Sequence, residues 1–136
     1  MQSKDLRIGN YVNYIGGGTF KITGIHEFGL DVEDDIESTY MEYEYFEPIK
    51  LTEDWMINFG MEYTDGFSNS RKLYVKKHKY DVSHITYSEK EGMLRFSNGE
   101  QKGTTLIPHI KFVHELQNLY FALTGEELEL KSETKP

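Results

Sequence analysis

Histidine is the residue type of this chain best suited to acid–base or metal chemistry, but its spacing predicts neither. The five histidines are His26, His78, His84, His109 and His114. None belongs to an HExxH pattern or to another close ligand spacing, and two histidines five residues apart point to different faces of a helix. Since the chain has no cysteine, thiolate catalysis, disulfides and cysteine-type zinc sites are excluded. We expect no metal and no organic cofactor.

Nucleophiles and phosphate-binding loops give no stronger signal. Ser38, Ser68 and Ser83 lie in no nucleophile-elbow motif. Residues 16–18 are three glycines, but the Lys-Ser/Thr pair and the helix of a phosphate-binding loop do not follow them. The carboxylates form no pair with a distinguishing setting. We therefore predict no catalytic residue and favour a binding protein over an enzyme, which leaves catalysis an open question.

Negative charge is the feature that bears most directly on function. The net charge is −8, and no Lys or Arg lies between Lys21 and Lys50. That stretch holds nine carboxylates: Glu27, Asp31, Glu33, Asp34, Asp35, Glu37, Glu42, Glu44 and Glu47. A solvated surface is the plain interpretation, and a surface for a basic protein partner is the functional one. Strand alternation would place Tyr40 on the same face as Glu42 and Glu44, so that an aromatic side chain lies next to the charge. The predicted partner-binding residues are therefore Asp34, Asp35, Tyr40, Glu42 and Glu44.

A basic segment offers an alternative binding face. Arg71, Lys72, Lys76 and Lys77 surround Tyr74. Strand alternation would place Lys72, Tyr74 and Lys76 on one side, where they could hold a nucleic-acid backbone and stack a base. A solvent-facing side of a sheet explains the same pattern. The overall acidity of the chain weighs against nucleic acid.

The first fifty residues predict short strands joined by turns. We expect strands at 8–15, 19–25, 28–32 and 40–46, because β-branched and aromatic residues alternate there with polar ones. Residues 16–18 predict a turn, and Gly24 a bulge or bend. Such closely spaced strands predict a small SH3-like β-barrel, with a plain antiparallel meander as the alternative.

The remaining chain predicts an antiparallel sheet packed with two helices, which makes the whole chain α+β. One helix is expected near 52–59, capped by Thr52 and ended by Gly60, and a second near 109–124, ended by Gly125. Strands are expected near 61–63, 73–76, 80–87, 93–96 and 104–107, with an edge strand at 128–130. We expect a β lobe at 1–50, an α+β lobe at 51–130 and a flexible tail at 131–136, or one single domain. The second lobe's core should hold Trp55, Phe59, Val113, Leu116, Leu119, Tyr120 and Leu123.

Nothing in the sequence predicts a membrane segment or export. No apolar run is long enough for a transmembrane helix. The first residues lack the apolar centre of a signal peptide. We therefore expect a cytoplasmic protein without a membrane partner.

Three segments resemble a group of small, mostly uncharacterised proteins encoded by phages and mobile elements of Bacteroidota. The segments are 6–12, 46–55 together with Phe59-Gly60, and 113–128, of which the last is the most specific and includes Glu115-Leu116-Gln117-Asn118-Leu119. The resemblance covers about a third of the chain and brings no activity, cofactor or catalytic residue. It implies a protein that acts inside a bacterial host cell.

Together these observations predict a non-enzymatic interaction protein that could modulate a host or defence factor through its acidic surface. A nucleic-acid-binding accessory protein is the first alternative. A small-molecule or nucleotide-binding protein with a pocket between lobes is the second. The identity of the partner and the oligomeric state stay open.

Overall fold

The computed structural model describes residues 5–64, 73–77, 84–88, 93–97, 104–107 and 110–130. Two compact units divide the chain. The first consists of Met1–Lys50 with Phe112–Glu127, and the second of Leu51–Lys111 with Leu128–Pro136. The first unit is thus built from two segments that are distant in the sequence.

Five antiparallel strands form the sheet of the first unit. They are β1 (Tyr11–Tyr14), β2 (Thr19–Ile25), β3 (Gly29–Glu33), β4 (Ser38–Glu42) and β5 (Phe46–Glu47). Their order in the sheet is β4-β3-β2-β1-β5, so the last strand returns to pair with the first. A 3-10 turn, Tyr43–Tyr45, lies between β4 and β5. The bulge or bend predicted at Gly24 coincides with a shift of the β2–β3 register between Ile22 and Gly24.

Apolar residues on one face of this sheet form a core. The fully buried members alternate along the strands, as expected for a sheet with one covered face. The buried set is Leu6, Val12, Ile22, Leu30, Val32 and Phe46, with Phe20, Met41 and Tyr43 packed against it. The opposite face of β3 and β4 is left for polar residues.

The strand predicted at 40–46 is shorter and starts earlier. β4 ends at Glu42, and the chain then turns through Tyr43–Tyr45. Tyr45, which the alternation of an unbroken strand would place on the same face as Met41, is exposed instead. The alternation of tyrosine and glutamate continues past the end of the strand, so the pattern could not mark where pairing stops.

The second helix, α2 (Val113–Thr124), belongs to the first unit. It begins later than the predicted residue 109, because Phe112 is extended and forms a bridge with Lys50. The Glu115 carboxylate accepts the N–H of Phe112 at 3.0 Å and so caps the first turn. Gly125 ends the helix in the left-handed conformation, as predicted, and its N–H donates to the carbonyl of Phe121 at 2.8 Å.

The second unit contains an antiparallel sheet of its own. Its strands are β6 (Glu62–Thr64), β7 (Leu73–Lys77), β8 (His84–Ser88), β9 (Met93–Ser97) and β10 (Thr104–Ile107), in the order β10-β9-β8-β7-β6. The sequence predicted all five strands, with differences of one residue at the described ends. Residues 80–83, expected to begin the third of these strands, lie outside the described residues. The short strand expected at 128–130 is absent, since these described residues have no strand assignment, although Leu128 is buried.

The first helix, α1 (Glu53–Asn58), lies in the second unit and has the predicted ends. Thr52 caps it by accepting the N–H of Trp55 at 3.5 Å, and Gly60 follows it with a φ of 88°. The N–H of Met61 donates to the carbonyl of Met56 at 3.0 Å, which closes the C-terminal turn.

The two helices therefore belong to different compact units. The prediction of one lobe at 51–130 joined α2 to the second sheet because the two are neighbours in the sequence. The predicted common core is divided accordingly: Val113, Leu116 and Tyr120 are buried in α2 of the first unit, while Phe59 is buried in the second. The α+β class with antiparallel strands and two helices is confirmed.

We predict that Leu116→Ala lowers the free energy of unfolding by about 2–5 kcal/mol, because the side chain is buried and its loss leaves a cavity. Chemical denaturation of both proteins measures this. Ile36→Ala is the control, since an exposed side chain should change stability by no more than about 0.5 kcal/mol. Equal losses in the two variants would show that α2 does not contribute a packed face.

Candidate functional site

The outward face of the β3–β4 hairpin gathers much of the predicted acidic surface. Opposite residues of an antiparallel pair share a face. The register pairs Asp31 with Tyr40, Glu33 with Ser38, and Gly29 with Glu42. The core residues Leu30 and Val32 alternate with this set and point the other way. One tyrosine and three carboxylates therefore lie together on the face turned from the core.

The connections at both ends of the hairpin extend this charge. Of the nine carboxylates between Lys21 and Lys50, all are exposed except Asp31, which is half-buried. Lys21 is opposite Glu33 on β2 and gives partial compensation at that edge of the face. The rest of the hairpin has no cation within its own sequence, so its field is of one sign. We refer to residues 31–44 as the acidic hairpin.

Tyr40 is held in place by a glycine beneath it and a histidine beside it. A Cβ on Gly29 would lie 2.8 Å from the Tyr40 ring, so the ring covers this glycine. The His26 ring meets it edge-on, with 5.6 Å between centroids. His26 Nε2 lies 2.7 Å from Asp31 Oδ2, and a Cβ on Gly24 would lie 2.6 Å from the same oxygen. Tyr40 nevertheless keeps 47% of its surface exposed.

Large apolar side chains are exposed in the turn of the acidic hairpin and just before its first strand. Phe28, just before β3, is 68% exposed, and Ile36, in the turn between β3 and β4, is 90% exposed. Single exposed apolar residues are ordinary on a protein surface. Here they flank an exposed tyrosine among carboxylates, a combination of aromatic anchors and charge that is typical of binding surfaces.

Asp34 has a structural role in the turn. Its Oδ1 accepts the N–H groups of Glu37 at 2.8 Å and Ile36 at 2.9 Å. These hydrogen bonds, the one from Glu37 first, hold the pKa of the carboxyl below its usual value because they favour the charged form. The side chain thus shapes the turn that presents Ile36, besides adding charge.

The structure places the other predicted site residues less compactly. Asp35 is exposed beside Asp34, whereas Glu44 lies in the 3-10 turn after β4, outside the strand row expected for it. For the alternative face, Lys72 lies outside the described residues. Tyr74 and Lys76 are in β7, where only the backbone is described. Sequence reasoning missed Phe28 and Ile36, because no sequence signal tells an exposed apolar residue from a core one.

A second polar cluster joins α2 to the chain before β1. Gln117 is 1% exposed, and its amide fits between two backbone groups. Its Nε2 donates to the carbonyl of Gly9 at 2.9 Å, and its Oε1 accepts the N–H of Tyr11 at 3.0 Å. A buried side chain thereby completes the backbone hydrogen bonding at the start of β1.

Asn10 and Asn118 extend this cluster. The buried Asn10 accepts the N–H of Arg7 at 2.7 Å and donates to Asn118 Oδ1 at 2.8 Å. Asn118 Nδ2 donates to the carbonyl of Asp5 at 2.8 Å. Arg7 forms an ion pair with Glu127, and its guanidinium lies 4.0 Å from the ring centroid of Phe121. The chain before β1 is thus tied to both the middle and the end of α2.

An open cleft of about 490 Å³ lies beside this cluster. Its lining residues are Asp5, Leu6, Arg7, His114, Glu115, Asn118 and Leu119. His114 is 6% exposed, and its Nδ1 is buried with no hydrogen-bond partner among the described residues. Burial lowers the pKa of this histidine, against the smaller opposing effects of Glu115 and Asp5, so the neutral imidazole is favoured.

Within the part of the chain that the structure describes, no group of three or more metal-binding side chains comes together. His26 contacts Asp31 and His114 packs against Phe112, while His84 lies in β8 with only its backbone described. His78 and His109 lie outside the described residues. Among the described helices, none has the length and apolar character needed to cross a membrane.

Comparison with known proteins gives no relative from which a function could be transferred. No protein-family model, no curated protein and no solved structure matches this chain.

We predict that Gln117→Leu destabilises the protein by about 1–3 kcal/mol for each backbone group left unpaired, because Gly9 and Tyr11 lose buried partners. Thermal and urea unfolding measure the change. Gln117→Glu retains one acceptor for the Tyr11 N–H, but it loses the donor to Gly9 and buries a charge. It should therefore also be less stable than the wild type. A stable Gln117→Leu variant would contradict the role assigned to this amide.

We predict that the protein loses stability as the pH falls below about 6.5, the ordinary pKa of an unfolded histidine. The pKa of His114 is lower in the folded state, so between the two pKa values the unfolded chain binds more protons. Urea titrations from pH 8 to pH 5 should show that the free energy of unfolding declines more steeply for the wild type than for His114→Asn. Parallel curves would show that His114 does not contribute to the decline.

Proposed function

We propose that this protein is a non-enzymatic binding protein that recognises a basic surface of another protein through the acidic hairpin. The observation that carries the proposal is the exposed Tyr40, fixed over Gly29 among carboxylates. Two further apolar side chains are exposed nearby, Ile36 in the turn and Phe28 just before β3. Charge brings a basic partner near, and the apolar side chains supply area that can be buried on contact.

The arrangement supports binding rather than catalysis. Every carboxylate of the acidic hairpin except the half-buried Asp31 is exposed to solvent, and a solvated carboxylate lacks the water-excluded setting in which acid–base catalysts work. The contact between His26 and Asp31 is also exposed to solvent. What the surface offers is a fixed pattern of charge and rings, which suits recognition.

We further propose that the first sheet is an SH3-like barrel. Support comes from the strand order β4-β3-β2-β1-β5, in which a meander is followed by a strand that returns to β1, and from the 3-10 turn before that last strand. We place the protein in the cytoplasm of a bacterial cell, acting for a phage or mobile element on a host or defence factor. The resemblance of three segments to such proteins supports this context.

The test is capture of a partner from bacterial lysate by the wild type, followed by measurement of its association rate with a charge-neutralised variant. The variant combines Asp34→Asn, Asp35→Asn, Glu42→Gln and Glu44→Gln. The Asp34→Asn change keeps a side-chain oxygen that can still accept the turn's N–H groups, so the fold should persist. We expect association to slow by about tenfold or more, and added salt to slow the wild type in the same way.

The control carries an equal change of charge elsewhere: Glu53→Gln, Asp54→Asn, Glu126→Gln and Glu129→Gln. If the field of the acidic hairpin guides binding, this control should associate nearly as fast as the wild type. Equal rates for all three proteins, at low and at high salt, would show that the acidic hairpin is only a solvated surface.

A further inference from the structure

The outer edge of β4 presents backbone groups of a predictable set of residues. In an antiparallel pair, hydrogen-bonded and non-hydrogen-bonded residue pairs alternate. At one end of the β3–β4 pair the N–H of Tyr43 donates to the carbonyl of Phe28, and at the other the N–H of Asp34 donates to the carbonyl of Glu37. Both bonds belong to the register that the strands share.

This alternation determines which backbone groups of β4 point away from β3. The hydrogen-bonded pairs between those ends are Leu30–Met41 and Val32–Thr39, so the backbone N–H and C=O groups of Ser38, Tyr40 and Glu42 point away from β3. The carbonyl of Gly29, which is opposite Glu42, accepts the N–H of His26 on the β2 side, as this assignment requires. Among the described strands, none pairs with β4 on its outer side.

The same three residues also point their side chains to the acidic face. Ser38, Tyr40 and Glu42 are all exposed. A strand laid along this edge would set every second side chain beside them. Its neighbours would be the Tyr40 ring and the Glu42 carboxylate. A cation in those positions gains both an ion pair and contact with an aromatic face.

The negative charge near β4 also makes a second copy of this chain an unfavourable partner for its outer edge. An open edge can pair with another copy of itself, and natural proteins prevent this with short strands and charged side chains. Antiparallel pairing of two β4 strands would place two acidic hairpins side by side, neither of which has a Lys or Arg between residues 31 and 44. Like charges across a pair are unfavourable, whereas a cationic strand turns the same charges into attraction.

We propose that β4 binds its partner by strand addition, and that the partner supplies an extended segment with arginine or lysine at every second position. This inference rests on the proposed function, which it deepens by naming the form of the basic partner. The backbone of Ser38, Tyr40 and Glu42 provides the pairing, and the acidic hairpin selects the charge.

The probe is a synthetic eight-residue peptide of alternating arginine and valine. Amide hydrogen exchange is measured by NMR on the full chain with and without this peptide. We expect slower exchange at the amides of Ser38, Tyr40 and Glu42. The amides of Thr39 and Met41 face β3 and should change little. Peptides with glutamate in place of arginine, or with N-methyl groups on alternate backbone amides, should not produce the effect.

A pair of variants separates backbone pairing from side-chain contact. Ser38→Pro removes an outward N–H and leaves the bonds to β3, a position where an edge strand tolerates proline. Ser38→Ala keeps that N–H and is the matched control. We expect peptide binding to weaken about fivefold to tenfold in Ser38→Pro, the loss of roughly one hydrogen bond, and to be unchanged in Ser38→Ala. Unchanged unfolding midpoints show that both variants are folded. If Ser38→Pro does not fold, the N-methylated peptide provides the same comparison on the wild type.

The outcomes distinguish this inference from the proposed function. Peptide binding that depends on charge, without protection of the three amides and equally strong in both variants, overturns strand addition and leaves a basic partner in place. Protection of these amides without peptide, rising with protein concentration, assigns the edge to a second copy and overturns the inference. No binding of the peptide overturns it as well. If partner capture is also independent of charge, the proposed function fails with it.

Discussion

The first unit depends on one buried side-chain amide. Gln117 donates to the carbonyl of Gly9 and accepts the N–H of Tyr11, so α2 completes the hydrogen bonding of a chain segment more than a hundred residues earlier. Apolar packing alone is non-directional and would allow the helix to slide or rotate. Two hydrogen bonds of opposite polarity specify one position, and Asn10 and Asn118 reinforce it. The sheet that presents the acidic hairpin is built on this anchor.

The anchor ties together two parts of the chain that are far apart in the sequence. Residues 6–12 and 113–128 contain most of the residues that meet in this cluster, including the ion pair of Arg7 with Glu127. Constraints of packing and hydrogen bonding act on both segments together. The acidic hairpin lies outside both, and its exposed side chains do not take part in this cluster.

Local signals were enough to predict much of the secondary structure. Thr52 and Gly60 marked the ends of α1, and alternation located β2 from Thr19 to Ile25. Local signals failed where two interpretations fit one pattern. The alternation around Tyr43 continued beyond β4. The start of α2 was obscured because Phe112 is not a usual capping residue, and the cap comes from the Glu115 side chain instead. The unit to which α2 belongs was hidden, since contacts across such a sequence distance leave no periodic trace.

The candidate site, too, could be predicted from the sequence only in part. Its charge could be predicted, because a stretch without Lys or Arg is visible in any sequence. The position of Tyr40 over Gly29 and the direction of the β4 backbone groups depend on register, which only the structure supplies. Chemical-shift mapping of the isotope-labelled protein, titrated with the basic partner at low and high salt, measures whether the acidic hairpin is the surface at which that partner binds. We expect the largest shifts within residues 28–44, and we expect them to diminish with salt. Shifts that fall instead on β7, or that are spread evenly over the chain, would show that the acidic hairpin is not the binding surface.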